Sequence, residues 1–146
     1  MPEAGVPPAH VFPVRVYYED TDAAGVVYYA NYLKFAERAR SEFLRARGIE
    51  NRALQQGAGI AFAVRRLSIE YLAPAFLDDL LHVHSRITGV HGASIDTEQD
   101  VLKDGREIAR LTLTLACVAK NGRPARLPAV VRRAFGADSF GQEQER

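Results

Sequence analysis

A single long helical pattern precedes a series of strand patterns, and this order constrains the fold more than any other feature of the chain. Between Tyr29 and Arg47, apolar residues recur three and four positions apart, as on one face of an amphipathic helix. Gly48 follows at the position where helices commonly end, and Asn31 or the preceding turn could cap the start. The sequence therefore predicts one helix that buries a single stripe.

Five segments show strand patterns, one before this helix and four after it. Val14 to Tyr18 alternates between apolar and polar residues, and the later segments are 61–71, 80–90, 94–102 and 107–119. A short amphipathic helix is predicted at residues 129–135. Because one helix among antiparallel strands must lay its apolar face on the sheet, we predict an α+β fold, an antiparallel sheet wrapped around one long central helix.

Composition favours a single domain of ordinary surface charge. The chain has 146 residues, 47% of them hydrophobic, and a net charge of +1, which is not the basic excess of a nucleic-acid-binding protein. We expect a flexible arm at 1–13, the domain at 14–136 and a polar tail at 137–146. The lone Cys117 excludes an intramolecular disulfide. A cytoplasmic protein is expected, since no pattern for a signal peptide or membrane helix is visible.

The turn before the long helix, EDTDAAG, is the candidate for chemistry. One interpretation is a solvated turn in which Asp20 and Asp22 accept backbone hydrogen bonds. The other is a reaction centre, because a helix N-terminus offers unpaired N–H groups and a partial positive charge to a carbonyl oxygen that becomes negative. A carboxylate at the same place could attack the carbonyl carbon or deprotonate a water. Gly25 would let the backbone approach a ligand closely.

The run YYEDTDAAGVVYYANYLKFAERAR resembles the signature of the 4-hydroxybenzoyl-CoA thioesterase family, most closely its Tol–Pal-associated (YbgC-type) acyl-CoA thioesterases. The ending RPARLPAVVRRAF also resembles that subgroup, so the resemblance spans about Val14 to Phe135. It implies a hotdog fold, dimers paired into homotetramers, and hydrolysis of acyl-CoA thioesters without metal or other cofactor. It also implies a physiological link to the cell envelope, and acyl carrier protein is a further possible partner.

The resemblance assigns catalytic positions. The family's catalytic aspartate falls on Asp22 and not on Asp20, the backbone N–H that polarises the thioester carbonyl falls at Tyr29, and a tyrosine near the end of the first strand falls on Tyr18. Asp22 would serve as either general base or nucleophile. Several relatives carry a histidine where this chain has Tyr29.

Candidate substrate contacts lie in three places. Gly25 and Tyr28 are beside the catalytic turn, and Tyr28 could equally pack in the core. The family's CoA-binding stretch, rich in Arg and Lys and ending in Ser, corresponds to the region of His91 and Ser94, where Ser94 alone matches. Arg123, in a later turn, could meet a CoA phosphate.

Two other functions stay open at the level of sequence. A hotdog hydratase or dehydratase would need a histidine base near the helix start, and none lies between Tyr17 and Arg47. A non-enzymatic module binding acyl-CoA or acyl carrier protein is the other alternative.

His82 and His84 share one strand face but lack a third ligand at suitable spacing, so no metal site is expected. Glu37, on the long helix, would be a surface ion pair or a second carboxylate.

Overall fold

The computed structural model describes residues 8–136, which form one antiparallel sheet and three helices. The strands are β1 (His10–Arg15), β2 (Ile60–Tyr71), β3 (Leu80–Val90), β4 (Ser94–Lys103) and β5 (Arg106–Ala119). The helices are α1 (Asn31–Ala46), the short α2 (Asn51–Ala53), which continues as a π-helical turn at Leu54–Ala58, and α3 (Ala129–Phe135). The strand order is β1-β3-β4-β5-β2, and every neighbouring pair is antiparallel.

The buried stripe of α1 lies on this sheet. Its residues Tyr32, Phe35, Ala36 and Ala39 share one core cluster with sheet residues such as Leu81, Val83, Val101, Leu111 and Leu113. A second cluster joins the end of α1 to α3 and contains the buried, unpaired Cys117. The predicted architecture of a sheet wrapped around one long helix is confirmed.

The position of the first strand was predicted incorrectly. β1 runs from His10 to Arg15 instead of Val14 to Tyr18, so residues 10–13 of the expected arm belong to the sheet. Pro13 is tolerated because β1 is an edge strand, where a missing N–H costs no ladder bond on the open side. Tyr18 instead begins a 3-10 turn, Tyr18–Asp20. Residues 1–7, in the expected arm, and the expected tail at 137–146 lie outside the described residues.

The other edge of the sheet is long. β2 has 12 residues, and within the described chain it pairs with β5 alone. Val64 and Tyr71 on this strand are exposed. An edge of this length with exposed apolar side chains is usually covered in soluble proteins. None of the helices within residues 8–136 is long and apolar enough to cross a membrane.

His10 ties β1 to the second core cluster. Its ring stacks on Phe43 with centroids 5.4 Å apart, and its buried Nδ1 makes no hydrogen bond within residues 8–136. Burial lowers the pKa of His10 below its usual 6.5; the negative charge of Glu42 opposes this and the positive charge of Arg47 adds to it.

Replacement of His10 by Phe is expected to reduce the loss of stability in acid. A folded-state pKa below the unfolded value means that the unfolded chain binds the proton more tightly. The contribution of neutral His10 is therefore present above pH 6.5 and is lost as the pH falls through the lowered folded pKa. Urea unfolding of both proteins between pH 7.5 and 5 measures this. Parallel curves of unfolding free energy against pH would contradict it.

Candidate active site

Asp20 organises the turn that leads from β1 to α1. Its Oδ2 accepts a hydrogen bond of 2.8 Å from the Tyr17 N–H. Its carbonyl oxygen accepts two more, from the Tyr28 N–H at 2.9 Å and from the Asn31 side-chain amide at 2.8 Å. Asp20 is buried, so these bonds fix the turn from inside and leave its carboxylate no access to a ligand.

Asp22 lies in the same turn but faces outward. Its Oδ1 accepts hydrogen bonds from the Ala24 N–H at 2.9 Å and the Val26 N–H at 3.4 Å. Its backbone N–H and C=O bond to Val26 and Gly25. Within residues 8–136 its second carboxylate oxygen, Oδ2, makes no hydrogen bond. The turn thus holds an exposed carboxylate by one oxygen and leaves the other available to a ligand.

Gly25 closes this turn with a φ of +84°, a left-handed conformation that favours glycine. The residues after it are fixed to the loop beyond β2, since Val26 pairs with Phe76 and the Val27 N–H donates to the Ala75 carbonyl. The backbone conformation of Gly25 therefore sets where the Asp22 carboxylate stands.

Replacement of Gly25 by Ala is expected to cost about 1–2 kcal/mol of stability, because an L-residue strains at this φ. No atom within 4 Å would meet the added Cβ, so strain alone accounts for the loss. Gly57→Ala is the matched control, since that position has equal space and no positive φ. Equal urea midpoints for the two variants would contradict this expectation.

The N-terminus of α1 lacks a side-chain cap. Ala30 occupies the cap position, and Asn31, which the sequence had suggested for that role, is the first helical residue and donates to Asp20 instead. Within the described chain no hydrogen bond occupies the N–H of Tyr29 or of Ala30. The helix therefore presents unpaired N–H donors and its positive end beside the Asp22 turn.

Aromatic rings surround this helix start. The Tyr28 and Tyr29 ring centroids are 4.8 Å apart, and Tyr29 meets Tyr71 edge-on at 6.2 Å. The Tyr71 hydroxyl donates a 2.9 Å hydrogen bond to the Tyr29 carbonyl. Tyr71 also contacts Tyr32, and burial raises the pKa of the Tyr71 hydroxyl. The sequence predicted only that Tyr71 belongs to a strand, because its partner Tyr29 lies 42 positions earlier in the chain.

Tyr18 stands apart from this aromatic group. Its side chain is 82% exposed, and its contribution to the turn is its carbonyl oxygen, which accepts the Thr21 N–H and hydroxyl. Asp22, Gly25, Tyr28 and Tyr29 are brought together at the helix start. Tyr18 lies before them in the turn, with its ring directed to solvent.

Of the other predicted contacts, Ser94 lines a groove on the outer face of the sheet. The groove encloses about 340 Å³ and is floored mainly by small residues, namely Ala63, Ala93, Ser94, Ala116, Gly122 and Pro124, with Arg65 and Val118. Ser94 is therefore in place to meet a ligand there. Arg123 is exposed in the adjoining turn.

His91 is not part of the groove lining. Its Nε2 lies 2.8 Å from Asp96 Oδ2, and the other Asp96 oxygen accepts the Thr114 hydroxyl at 2.9 Å. This carboxylate engages Nε2 of His91 and places a negative charge beside the ring. Arg65, which the sequence analysis did not single out, lines the groove and places a cation there.

The helix start and the groove lie toward opposite ends of β2. Tyr71 marks one end of the strand, and Ala63 borders the groove eight residues earlier. At about 3.3 Å per residue this separates them by roughly 26 Å along the strand. Within residues 8–136 no three His, Cys, Asp or Glu side chains gather closely enough to hold a metal ion.

Comparisons with known proteins show which family the chain resembles. Residues 16–135 match the model of a thioesterase-like superfamily. The chain is 45% identical over 125 residues to the acyl-CoA thioesterase YbgC of Haemophilus influenzae, covering 85% of this chain and 92% of that protein. It is 50% identical over 91 residues to the acyl-CoA thioester hydrolase YbgC of Escherichia coli, covering 62% and 67%.

Solved structures agree with these matches. A probable thioesterase from Bartonella henselae superimposes with a TM-score of 0.79 at 41% identity, covering 82% of this chain and 98% of that one. The hotdog fold expected from the sequence is confirmed by this likeness together with the sheet and helix arrangement.

Proposed function

The chain belongs to the thioesterase-like superfamily, and from this premise we propose that it hydrolyses acyl-CoA thioesters to a free acid and CoA. One observation carries the proposal. The Asp22 carboxylate is held by one oxygen with the other left open, beside a helix start where the Tyr29 and Ala30 N–H groups have no acceptor in the described chain. Thioester hydrolysis needs these two groups, a carboxylate to activate water or attack the carbonyl carbon and N–H donors to stabilise the carbonyl oxygen.

In this mechanism the thioester carbonyl oxygen accepts the Tyr29 N–H at the start of α1. The negative charge that develops on that oxygen is stabilised by the N–H dipole and the helix end. Asp22 either deprotonates a water that attacks the carbonyl carbon or attacks it directly, forming a mixed anhydride that water then cleaves. The tetrahedral intermediate collapses with loss of the CoA thiolate, which takes up a proton. Because the N–H belongs to the backbone, the tyrosine side chain at position 29 need not act as a base.

The minimal active unit in this proposal is a homodimer, and a homotetramer would pair two such dimers. Two copies of the open edge β2 can pair antiparallel, as strand edges commonly do. The start of one β2 then lies beside the end of the other. One subunit's groove at Ser94 is thereby brought toward its partner's Asp22, which closes the separation of roughly 26 Å within a chain.

The groove suits the nucleotide end of CoA. A floor of alanines and glycine leaves room for a flat base, and Arg65, with Arg123 nearby, supplies positive charge for phosphates. Gly25 and Tyr28 would contact the thioester end instead. We assign no CoA contact to His91, because its Nε2 is already engaged by Asp96. A cytoplasmic place of action fits both an acyl-CoA substrate and the free thiol of Cys117.

A thiol-release assay over acyl-CoA chain lengths tests the activity directly. Thiol release that saturates with substrate supports hydrolysis. Tight acyl-CoA binding without release would instead make the protein a binding module, the principal rival. A hydratase is disfavoured because the sequence from Tyr17 to Arg47, which holds the Asp22 turn and the helix start, contains no histidine. Hydration of an enoyl-CoA in the same samples would revive it.

A further inference from the structure

A small pocket between α1 and the sheet has two polar groups in an otherwise apolar wall. Arg40 and Thr97 line it, and the remaining lining side chains, Phe62 among them, are aliphatic or aromatic. The pocket encloses about 30 Å³. That is roughly twice the ~10–15 Å³ that one ordered water requires, so two oxygen atoms fit.

Thr97 is the first sign that this pocket receives a ligand. The residue is 1% exposed, and its Oγ1 makes no hydrogen bond within the described part of the chain. A buried hydroxyl that has left water and gained no partner destabilises the fold. A valine would fill the same space without that cost, so the hydroxyl calls for a partner that enters from outside.

Arg40 is the second sign. Its Nη1 donates to the Gln99 Oε1 at 3.0 Å, and Gln99 is itself held by hydrogen bonds from its amide to the Ala36 carbonyl and the Ser85 hydroxyl. Burial lowers the pKa of Arg40, and the exposed Glu37 opposes this shift. Within residues 8–136 Arg40 forms no ion pair, so a largely buried guanidinium keeps donors for an anion.

We propose that this pocket binds a carboxylate, and that the carboxylate is the far end of the acyl group, which makes dicarboxylic acyl-CoA thioesters the preferred substrates. One oxygen accepts hydrogen bonds from the Arg40 guanidinium, and the other accepts the Thr97 hydroxyl. The carboxylate fills the pocket, so the methylene chain lies at its mouth. A terminal carboxylate is held by charge-assisted hydrogen bonds, whereas an alkyl end leaves Arg40 and the Thr97 hydroxyl without a partner.

This inference rests on the proposed hydrolysis and on antiparallel pairing of β2. Phe62 belongs to the first half of that strand. In the paired dimer the first half of β2 lies beside the last residues of β2 in the partner subunit. The start of α1 in the partner subunit is located at that end. An acyl group whose thioester is bound at that helix start can therefore reach into this pocket.

The test compares substrates that differ only in the terminal group, an anion in one and an apolar group of similar size in the other. Glutaryl-, adipyl- and suberyl-CoA are each matched with the acyl-CoA in which an isopropyl group replaces the terminal carboxylate. The kcat/KM ratio within each pair is measured on the purified full chain. At the best length the wild type is expected to favour the carboxylate by about tenfold or more, the effect of one charge-assisted hydrogen bond.

Two variants and a control assign that ratio to the pocket. Arg40→Gln keeps a donor for Gln99 but removes the charge, and it is expected to abolish the preference. Thr97→Val is expected to reduce it several-fold without loss of stability. Arg38→Gln removes the same charge from an exposed position of the same helix and should leave the ratio unchanged.

The ratio also separates this inference from the proposed function. Hydrolysis of both members of each pair at equal rates overturns carboxylate recognition and leaves thioester hydrolysis intact. A wild-type ratio in Arg40→Gln likewise overturns recognition of the carboxylate by this pocket. Absence of thiol release from every substrate overturns the hydrolysis itself.

Discussion

Asp22→Asn is expected to lower kcat on the best acyl-CoA by about 10²–10³-fold, the range found when a group that acts on the transition state is removed. The amide oxygen can still accept the Ala24 and Val26 N–H groups, so the turn and the helix start keep their geometry. An amide neither takes a proton from water nor attacks a carbonyl. The loss should therefore appear in kcat with little change in KM.

Asp20→Asn is the matched control for this prediction. It makes the same chemical change two residues earlier, at a buried carboxylate that accepts the Tyr17 N–H and does not face a ligand. The Asp20 variant should lose stability and keep most of its turnover in the folded fraction. A near-normal rate for Asp22→Asn, in protein with unchanged circular dichroism and melting temperature, would remove Asp22 from the chemistry.

The sequence predicted α1 and strands β2 to β5 because their apolar periodicity is strong and their turns carry the expected residues. Asp104 and Gly105, both with positive φ, form the tight turn between β4 and β5. β1 was displaced because Pro13 was taken to end an arm, when an edge strand tolerates it. The helical turns at 51–58 were missed, since that polar stretch has no apolar period.

In the site, too, features formed by neighbours in sequence could be predicted, and features formed by residues distant in sequence could not. The Asp22 turn could be predicted because its hydrogen bonds span at most four residues. Tyr71 could not, because only the folded sheet brings it to Tyr29. The pairing of His91 with Asp96 spans a hairpin, and the resemblance that suggested His91 for phosphates contains no information about that partner. Thr97 and Arg40 belong to different elements, and no periodicity relates them.

Heterodimers are expected to reveal whether each active site is shared between two chains. Ser94→Trp would fill the groove, and neither it nor Asp22→Asn should support turnover as a homodimer. A purified heterodimer of the two variants has one site with both an intact Asp22 and an open groove, if these come from different subunits. It should then recover about half of the wild-type activity, one site of two. Two affinity tags and a thiol-release assay suffice for the measurement.

The reciprocal heterodimer is the control that decides the result. Both substitutions are placed in one chain, and that chain is paired with a wild-type subunit. A shared site requires Asp22 from one chain and the groove from the other, so both sites of this dimer are damaged and activity should be nearly absent. If each chain forms its own site, the pattern reverses: the reciprocal dimer retains about half of the activity and the first heterodimer has none. The roughly 26 Å between Ala63 and Tyr71 along β2 is the physical reason to expect the shared arrangement.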